Sequence, residues 1–162
     1  MKKNSISIII EEYNSSGELP EQDRILLQQA TAAADSSYSP YSSFQVGAAV
    51  RLTNGKIVTG NNQENAAYPS GLCAERIALF YAQAQNPGVP VEAVAIFARS
   101  GEFEVDQPVT PCGSCRQVMA EYENRHHRKM RIIMGNSGQV KVVDGIENLL
   151  PLMFVMDKLK RK

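Results

Sequence analysis

Apolar positions recur at two different periods along this chain, and the change from one to the other marks out its elements. Over residues 21–36, Ile25, Leu26, Ala30 and Ala33 fall at the spacing of a helix that buries one face. Asn14-Ser15-Ser16-Gly17 and Pro20 separate this helix from an Ile-rich patch at residues 6–10. Residues 1–20 read as an extension, and the pattern leaves open whether it is an edge strand or a disordered arm. Residues 44–52 read as a strand, Asn54-Gly55 is a two-residue hairpin signal, and residues 56–60 return as a second strand. Ala74, Ile77, Ala78, Phe80, Tyr81 and Ala84 give residues 73–85 a helical pattern. Residues 91–98 are nearly continuously apolar, as in a strand buried on both faces. Pro111 opens a helix over 112–124, strands follow at 131–134 and 140–143, and a short helix is expected at 145–150. Strands alternating with helices predict an α/β domain whose sheet is covered on both sides.

Size and charge narrow the function. A chain of 162 residues is one domain that buries about two thirds of its unfolded surface without crosslinks. Its 17 basic and 17 acidic residues balance to a formal charge of zero, so it lacks the net basic face that a nucleic-acid backbone requires. Two basic runs, Arg125 to Lys129 with Arg131 and the tail at Lys158, Lys160, Arg161 and Lys162, read as complements of a helix C-terminus and a solvated end. His126 and His127 are adjacent, point in different directions on a helix and make a poor metal pair. The patch at residues 6–10 is too short for a membrane span and lacks a cleavage-like site, so neither a span nor a signal peptide is expected.

The three cysteines change the picture most. All fall in two motifs, Cys73-Ala74-Glu75 and Pro111-Cys112-Gly113-Ser114-Cys115. An odd count at metal-type spacing argues for a reducing cytoplasm rather than disulfides. A Cys-x-x-Cys pair, a third cysteine from a distant segment and an open fourth position suit catalytic zinc; a structural site would be closed by a fourth Cys or His. Both motifs fall where helices are predicted to start, and helix N-termini favour thiolate over thiol. Three thiolates outweigh the charge of zinc, and Arg76 and Arg116, next to the motifs, are candidates to donate hydrogen bonds to sulfur and relieve that excess. Glu75, two residues after the first ligand, is then a carboxylate that moves protons beside the metal.

Four blocks in order, residues 39–49 (Ser-Pro-Tyr-Ser-Ser-Phe-Gln-Val-Gly-Ala-Ala), 62–68 (Asn-Gln-Glu-Asn-Ala-Ala-Tyr), Cys73-Ala74-Glu75-Arg76 and 111–117 (Pro-Cys-Gly-Ser-Cys-Arg-Gln), resemble the cytidine deaminase family in its small free-nucleoside form. The resemblance covers about residues 30–154 and implies a three-layer α/β/α fold with a five-stranded mixed sheet and a metal between two helix starts. It implies catalytic Glu75, zinc ligands Cys73, Cys112 and Cys115, and one zinc per chain. It further implies Asn62 and Glu64 on the ribose, with the carboxylate on the 3′-hydroxyl, Phe44 near the base, and the Ala74 backbone N–H on the base carbonyl. Phe154 matches a residue that reaches a neighbouring subunit's site in a homotetramer, although Leu152 and Met153 before it are bulkier than is usual there. The expected activity is hydrolytic deamination of cytidine and deoxycytidine in pyrimidine salvage, carried by residues 21–162. The alternatives are deamination of a modified nucleoside such as blasticidin S, which the Asn62 and Glu64 pair argues against, and a non-catalytic structural zinc module.

Overall fold

A computed structural model describes residues 1–155, so the basic tail from Lys158 to Lys162 lies outside the described residues. In chain order the elements are β1 (Glu11–Tyr13), α1 (Glu21–Ala34), β2 (Phe44–Leu52), β3 (Ile57–Asn61), α2 (Ala74–Gln85), β4 (Val91–Ser100), α3 (Gly113–His126), β5 (Arg131–Gly135) and β6 (Val140–Asp144). The helix expected at 145–150 is a single 3₁₀ turn, Ile146–Asn148. One mixed sheet runs β1-β6-β5-β4-β2-β3. Among the described strands only β4 and β5 are parallel neighbours, and α3 is the crossover between them, since parallel neighbours cannot be joined by a tight turn.

Alternation along the strands splits the interior into two cores. Ala48, Val50, Val94, Ile96, Ile132 and Met134 pack with α2 and α3 on one face. Ala49, Ala93, Ala95, Phe97, Ile133 and Val142 pack with α1 on the other. The central strand β4 is buried on both sides, which is why its sequence reads as an unbroken apolar run. Helices on both faces cover the sheet as the pattern predicted, and make the three-layer α/β/α arrangement with a mixed sheet that the resemblance implied.

The sheet has six strands rather than five. The extra strand is β1, from the N-terminal extension, which pairs antiparallel with the edge strand β6 through Glu11↔Val142 and Tyr13↔Val140. Three residues reading Glu-Glu-Tyr carry no period, and their partner lies about 130 positions away, so local pattern could not find them. Ion pairs fasten this strand. Arg131 on β5 donates to Glu11 at 2.7 Å, to Asp23 of α1 at 2.7 Å and to Asp144 at 3.0 Å. Asp23, only 4% exposed, is also paired with Arg51 of β2 at 3.2 Å, so one buried carboxylate ties α1 to the strands on either side of β4.

Two glycines let helices approach the sheet closely. A side chain at Gly47 would run into the backbone of α1 at Ala30 and Ala34, and one at Gly60 would meet Ala78 N at 2.7 Å and Ala74 O at 2.9 Å in the first turn of α2. Gly60 thereby fixes where α2 begins, and that beginning carries Cys73, Ala74 and Glu75.

Candidate metal centre and substrate cleft

Cys73 is the N-cap of α2 and Cys112 the N-cap of α3, both in extended backbone, with Cys115 one turn into α3. Two loops thus deliver sulfur to two neighbouring helix starts, where free N–H groups and the positive dipole end favour negative charge. The Cys73 and Cys112 sulfurs are 3.7 Å apart and those of Cys112 and Cys115 are 3.5 Å apart. All three lie within 4.8 Å of one another. A tetrahedral metal with bonds of about 2.3 Å separates its sulfurs by about 3.8 Å, so the arrangement fits zinc. The cysteines run from buried Cys115 through half-buried Cys73 to exposed Cys112, which opens the site on one side only.

Charge is shared unevenly among the sulfurs. A hydrogen bond from Cys115, with smaller help from Arg76 and Cys112, lowers the Cys73 thiol to about 5, while that same bond, burial and the nearby Glu75 charge push Cys115 upward. Metal ligation by thiols requires the thiolate, so binding a cation here would release the protons that remain on sulfur. Arg76 places Nη2 3.7 Å from the Cys73 sulfur, as expected for a cation relieving an excess of thiolate charge. Arg116 does otherwise. Its donors go to the Pro111 carbonyl at 2.7 Å, the Thr110 hydroxyl at 2.9 Å and the Leu149 carbonyl at 2.7 Å. It braces the backbone in front of the ligand turn instead of reaching sulfur; its position beside Cys115 was legible, but the direction of a long side chain was not.

Glu75 sits in the first turn of α2, 4% exposed. Burial pushes its carboxyl above the usual carboxylate range, and the negative Cys73 sulfur pushes more weakly the same way. A carboxyl so placed holds a proton more readily near neutrality than an exposed one, which suits a group that must both take and give protons.

A cleft of about 520 Å³ opens over this corner, lined by Cys73, Ala74, Glu75, Phe44, Asn62 and Glu64 among others. All the residues expected on substrate from the sequence, Phe154 apart, therefore face one space. Ala74 is the first residue of α2, so its N–H has no acceptor within the helix and points toward the helix start. Asn62 takes the Val46 N–H at 2.8 Å and donates to the Phe44 carbonyl at 2.9 Å. Glu64 accepts from the Tyr41 amide at 2.9 Å, the Ser42 amide at 3.3 Å and the Ser42 hydroxyl. The Ser42 hydroxyl first, then the two amides, hold the Glu64 carboxyl below the usual range. Both side chains thus shape the 41–46 wall of the cleft, a task their spacing in sequence did not disclose. Phe154 is 62% exposed and away from this cleft, its carbonyl accepting from Gln117 at 2.9 Å.

Comparison with known proteins bears on most of the chain. Residues 20–130 match the family model described as the cytidine and deoxycytidylate deaminase zinc-binding region. The chain belongs to the cytidine and deoxycytidylate deaminase family. A cytidine deaminase of Halalkalibacterium halodurans is 37% identical over 137 residues, 84% of this chain and 96% of its own length. One from Mycobacterium tuberculosis is 34% identical over 145 residues, 89% of this chain and 98% of its own. Among solved structures, the cytidine deaminase of Burkholderia pseudomallei has a TM-score of 0.71 and 37% identity, covering 84% of this chain and all of that one. Deaminases of this family carry zinc chemistry in the matched region, and the three sulfurs described above lie within it. Among the described residues no helix is long and apolar enough to cross a membrane.

Proposed function

We propose that this chain is a zinc-dependent enzyme of pyrimidine salvage that hydrolyses cytidine and deoxycytidine to uridine and deoxyuridine with release of ammonia. The observation that carries this reading is the buried Glu75 carboxyl set into the same helix turn as Cys73, at the floor of a cleft large enough for a nucleoside. Cys73, Cys112 and Cys115 would hold one zinc per chain, which when bound supplies a Lewis acid that brings the pKa of water toward neutrality. Glu75 accepts one proton of the attacking water and passes it to the ring nitrogen next to the carbon bearing the amino group; it then takes the second proton from the hydroxyl now on that carbon and gives it to the amino group, which leaves as ammonia while the carbonyl forms. The Ala74 N–H orients the base through its carbonyl, and Phe44 forms the wall beside it. Asn62 and Glu64 read the ribose. The ionised Glu64 accepts from the 3′-hydroxyl in exchange for one of the bonds it makes to Ser42 and Tyr41. Arg76 relieves the thiolate charge, and Arg116 keeps the ligand turn in place.

Residues 21–162 carry this activity, and residues 1–20 are an addition to it. The exposed ring of Phe154 suits a role at a neighbouring subunit in a homotetramer, and the reduced cysteines suit the cytoplasm. The neutral overall charge argues against a nucleic-acid substrate. An ultraviolet assay of purified protein with cytidine, deoxycytidine, cytosine, CMP and blasticidin S tests the substrate class. Turnover of the two free nucleosides is expected. Turnover of blasticidin S alone would move the substrate to modified nucleosides, and no turnover with a full complement of zinc would leave a structural metal module.

A further inference from the structure

The loop between β4 and α3 touches the 41–46 wall from outside the cleft, at two points. The rings of Phe44 and Phe103 stack nearly parallel, 9° between planes and 6.0 Å between centroids. One residue before each ring, the Ser43 hydroxyl donates to Glu102 at 2.6 Å. Ser43 needs such a hold, because its φ of 52° places a non-glycine residue in the left-handed region. From inside the cleft the same wall is held by Glu64 at Tyr41 and Ser42 and by Asn62 at Phe44 and Val46. The inner holders are the groups that bind the nucleoside on the reading above, and any sugar hydroxyl that engages them competes for bonds that now fix the wall. Neither outer holder lines the cleft, and Phe103 faces a separate depression.

We infer that Glu102 and Phe103 form an external strap that keeps Phe44 and the left-handed turn at Ser43 in place when Asn62 and Glu64 turn to the sugar. They are positioning residues for substrate binding that never touch substrate. The strap acts on the wall and not on the α2 corner, so it governs KM and leaves the proton transfers at Glu75 alone. Phe103 is 53% exposed, so its removal opens no core cavity. This inference rests on the nucleoside reading of the cleft.

Steady-state kinetics with cytidine on wild type, Phe103→Ala, Phe103→Tyr, Glu102→Ala, Phe44→Leu and the double variant Phe44→Leu/Phe103→Ala test it, with melting temperatures alongside. Phe103→Ala is expected to raise KM about 2- to 10-fold, the value of one aromatic pair, with kcat within about twofold and melting lowered by no more than about 5 °C. Glu102→Ala should do the same, and Phe103→Tyr, which keeps the ring, should restore the wild-type KM. In the Phe44→Leu background the loss of Phe103 should have no further effect, because its partner is gone. A wild-type KM in Phe103→Ala, a fall in kcat instead of a rise in KM, or an undiminished effect without Phe44 would each overturn the strap while leaving an active deaminase. An inactive zinc-loaded wild type would overturn the nucleoside reading and the strap with it.

Discussion

Gly60→Ala places one methyl group where the backbone of α2 already lies. Its Cβ would stand 2.7 Å from Ala78 N, 2.9 Å from Ala74 O and 3.1 Å from Ala78 Cα, whereas ordinary contact begins at 3.4 Å. None of these atoms belongs to a flexible side chain, so the helix start itself must retreat by roughly 0.7 Å, the difference between 3.4 and 2.7 Å. Overpacking of this kind costs about 1–3 kcal/mol of stability. The larger consequence is local, since Cys73 and Glu75 ride on that turn while Cys112 and Cys115 ride on α3. Metal sites tolerate displacements of only about 0.2 Å, and a catalytic group misplaced by about 1 Å costs on the order of 10²-fold. Gly60→Ala is therefore expected to lose zinc and to lower kcat/KM for cytidine by about 10²-fold while still folding. Gly47→Ala is the matched control on the opposite face, where the clash is with α1; it should lose more stability yet keep its zinc per folded chain. Gly17→Ala, whose nearest neighbour is the Ser15 hydroxyl at 3.5 Å, should be neutral. Elemental analysis, thermal melts and ultraviolet kinetics on the three proteins decide it: wild-type zinc and kcat/KM in Gly60→Ala would refute the claim that this glycine sets the ligand turn.

Three further outcomes are expected. Asp23→Ala leaves Arg51 and Arg131 facing a buried gap, and should cost about 3–5 kcal/mol in denaturant unfolding with little change in KM, since the site lies on the other face. Glu64→Ala should slow cytidine much more than 3′-deoxycytidine and so shrink a preference that such a contact can set as high as about 10⁴-fold; an unchanged ratio would mean that Glu64 does not read the sugar. Because the Glu64 carboxyl is held below the ordinary value, it stays charged as pH falls toward about 4.3 and loses its charge only beneath that, so its contribution to KM should persist through that window; KM profiles of wild type and Glu64→Ala that converge above it would contradict this.

Much of this molecule was legible because its signals are local. The helical spacing of residues 73–85, the Asn54-Gly55 turn, whose glycine has φ of 82°, and the apolar run of β4 each act within a dozen residues. The cysteine cluster was legible for a chemical reason: thiols at or just inside two predicted helix starts, two of them at Cys-x-x-Cys spacing, suggest a cradle for a cation without tertiary context, and the structure brings the three sulfurs together. What escaped was set by partners distant in sequence. β1 exists because β6 and Arg131 hold it, and Asp23, which reads as an ordinary acid in a first helical turn, is a buried hub. Adjacency makes Arg116 a candidate donor to sulfur, but a guanidinium four bonds from its backbone finds whichever carbonyls the fold leaves within reach. Phe103 carried no signal at all in a polar loop, and only the stacking on Phe44 gives it meaning.

The most direct measurement is the turnover and zinc content of Glu75→Gln against wild type, with cytidine as substrate. If Glu75 moves protons without coordinating metal, the variant keeps one zinc per chain and the wild-type fold and loses about 10²- to 10⁴-fold in kcat. Near-normal turnover with zinc retained would contradict that role and reduce Glu75 to an acid that merely complements the α2 dipole.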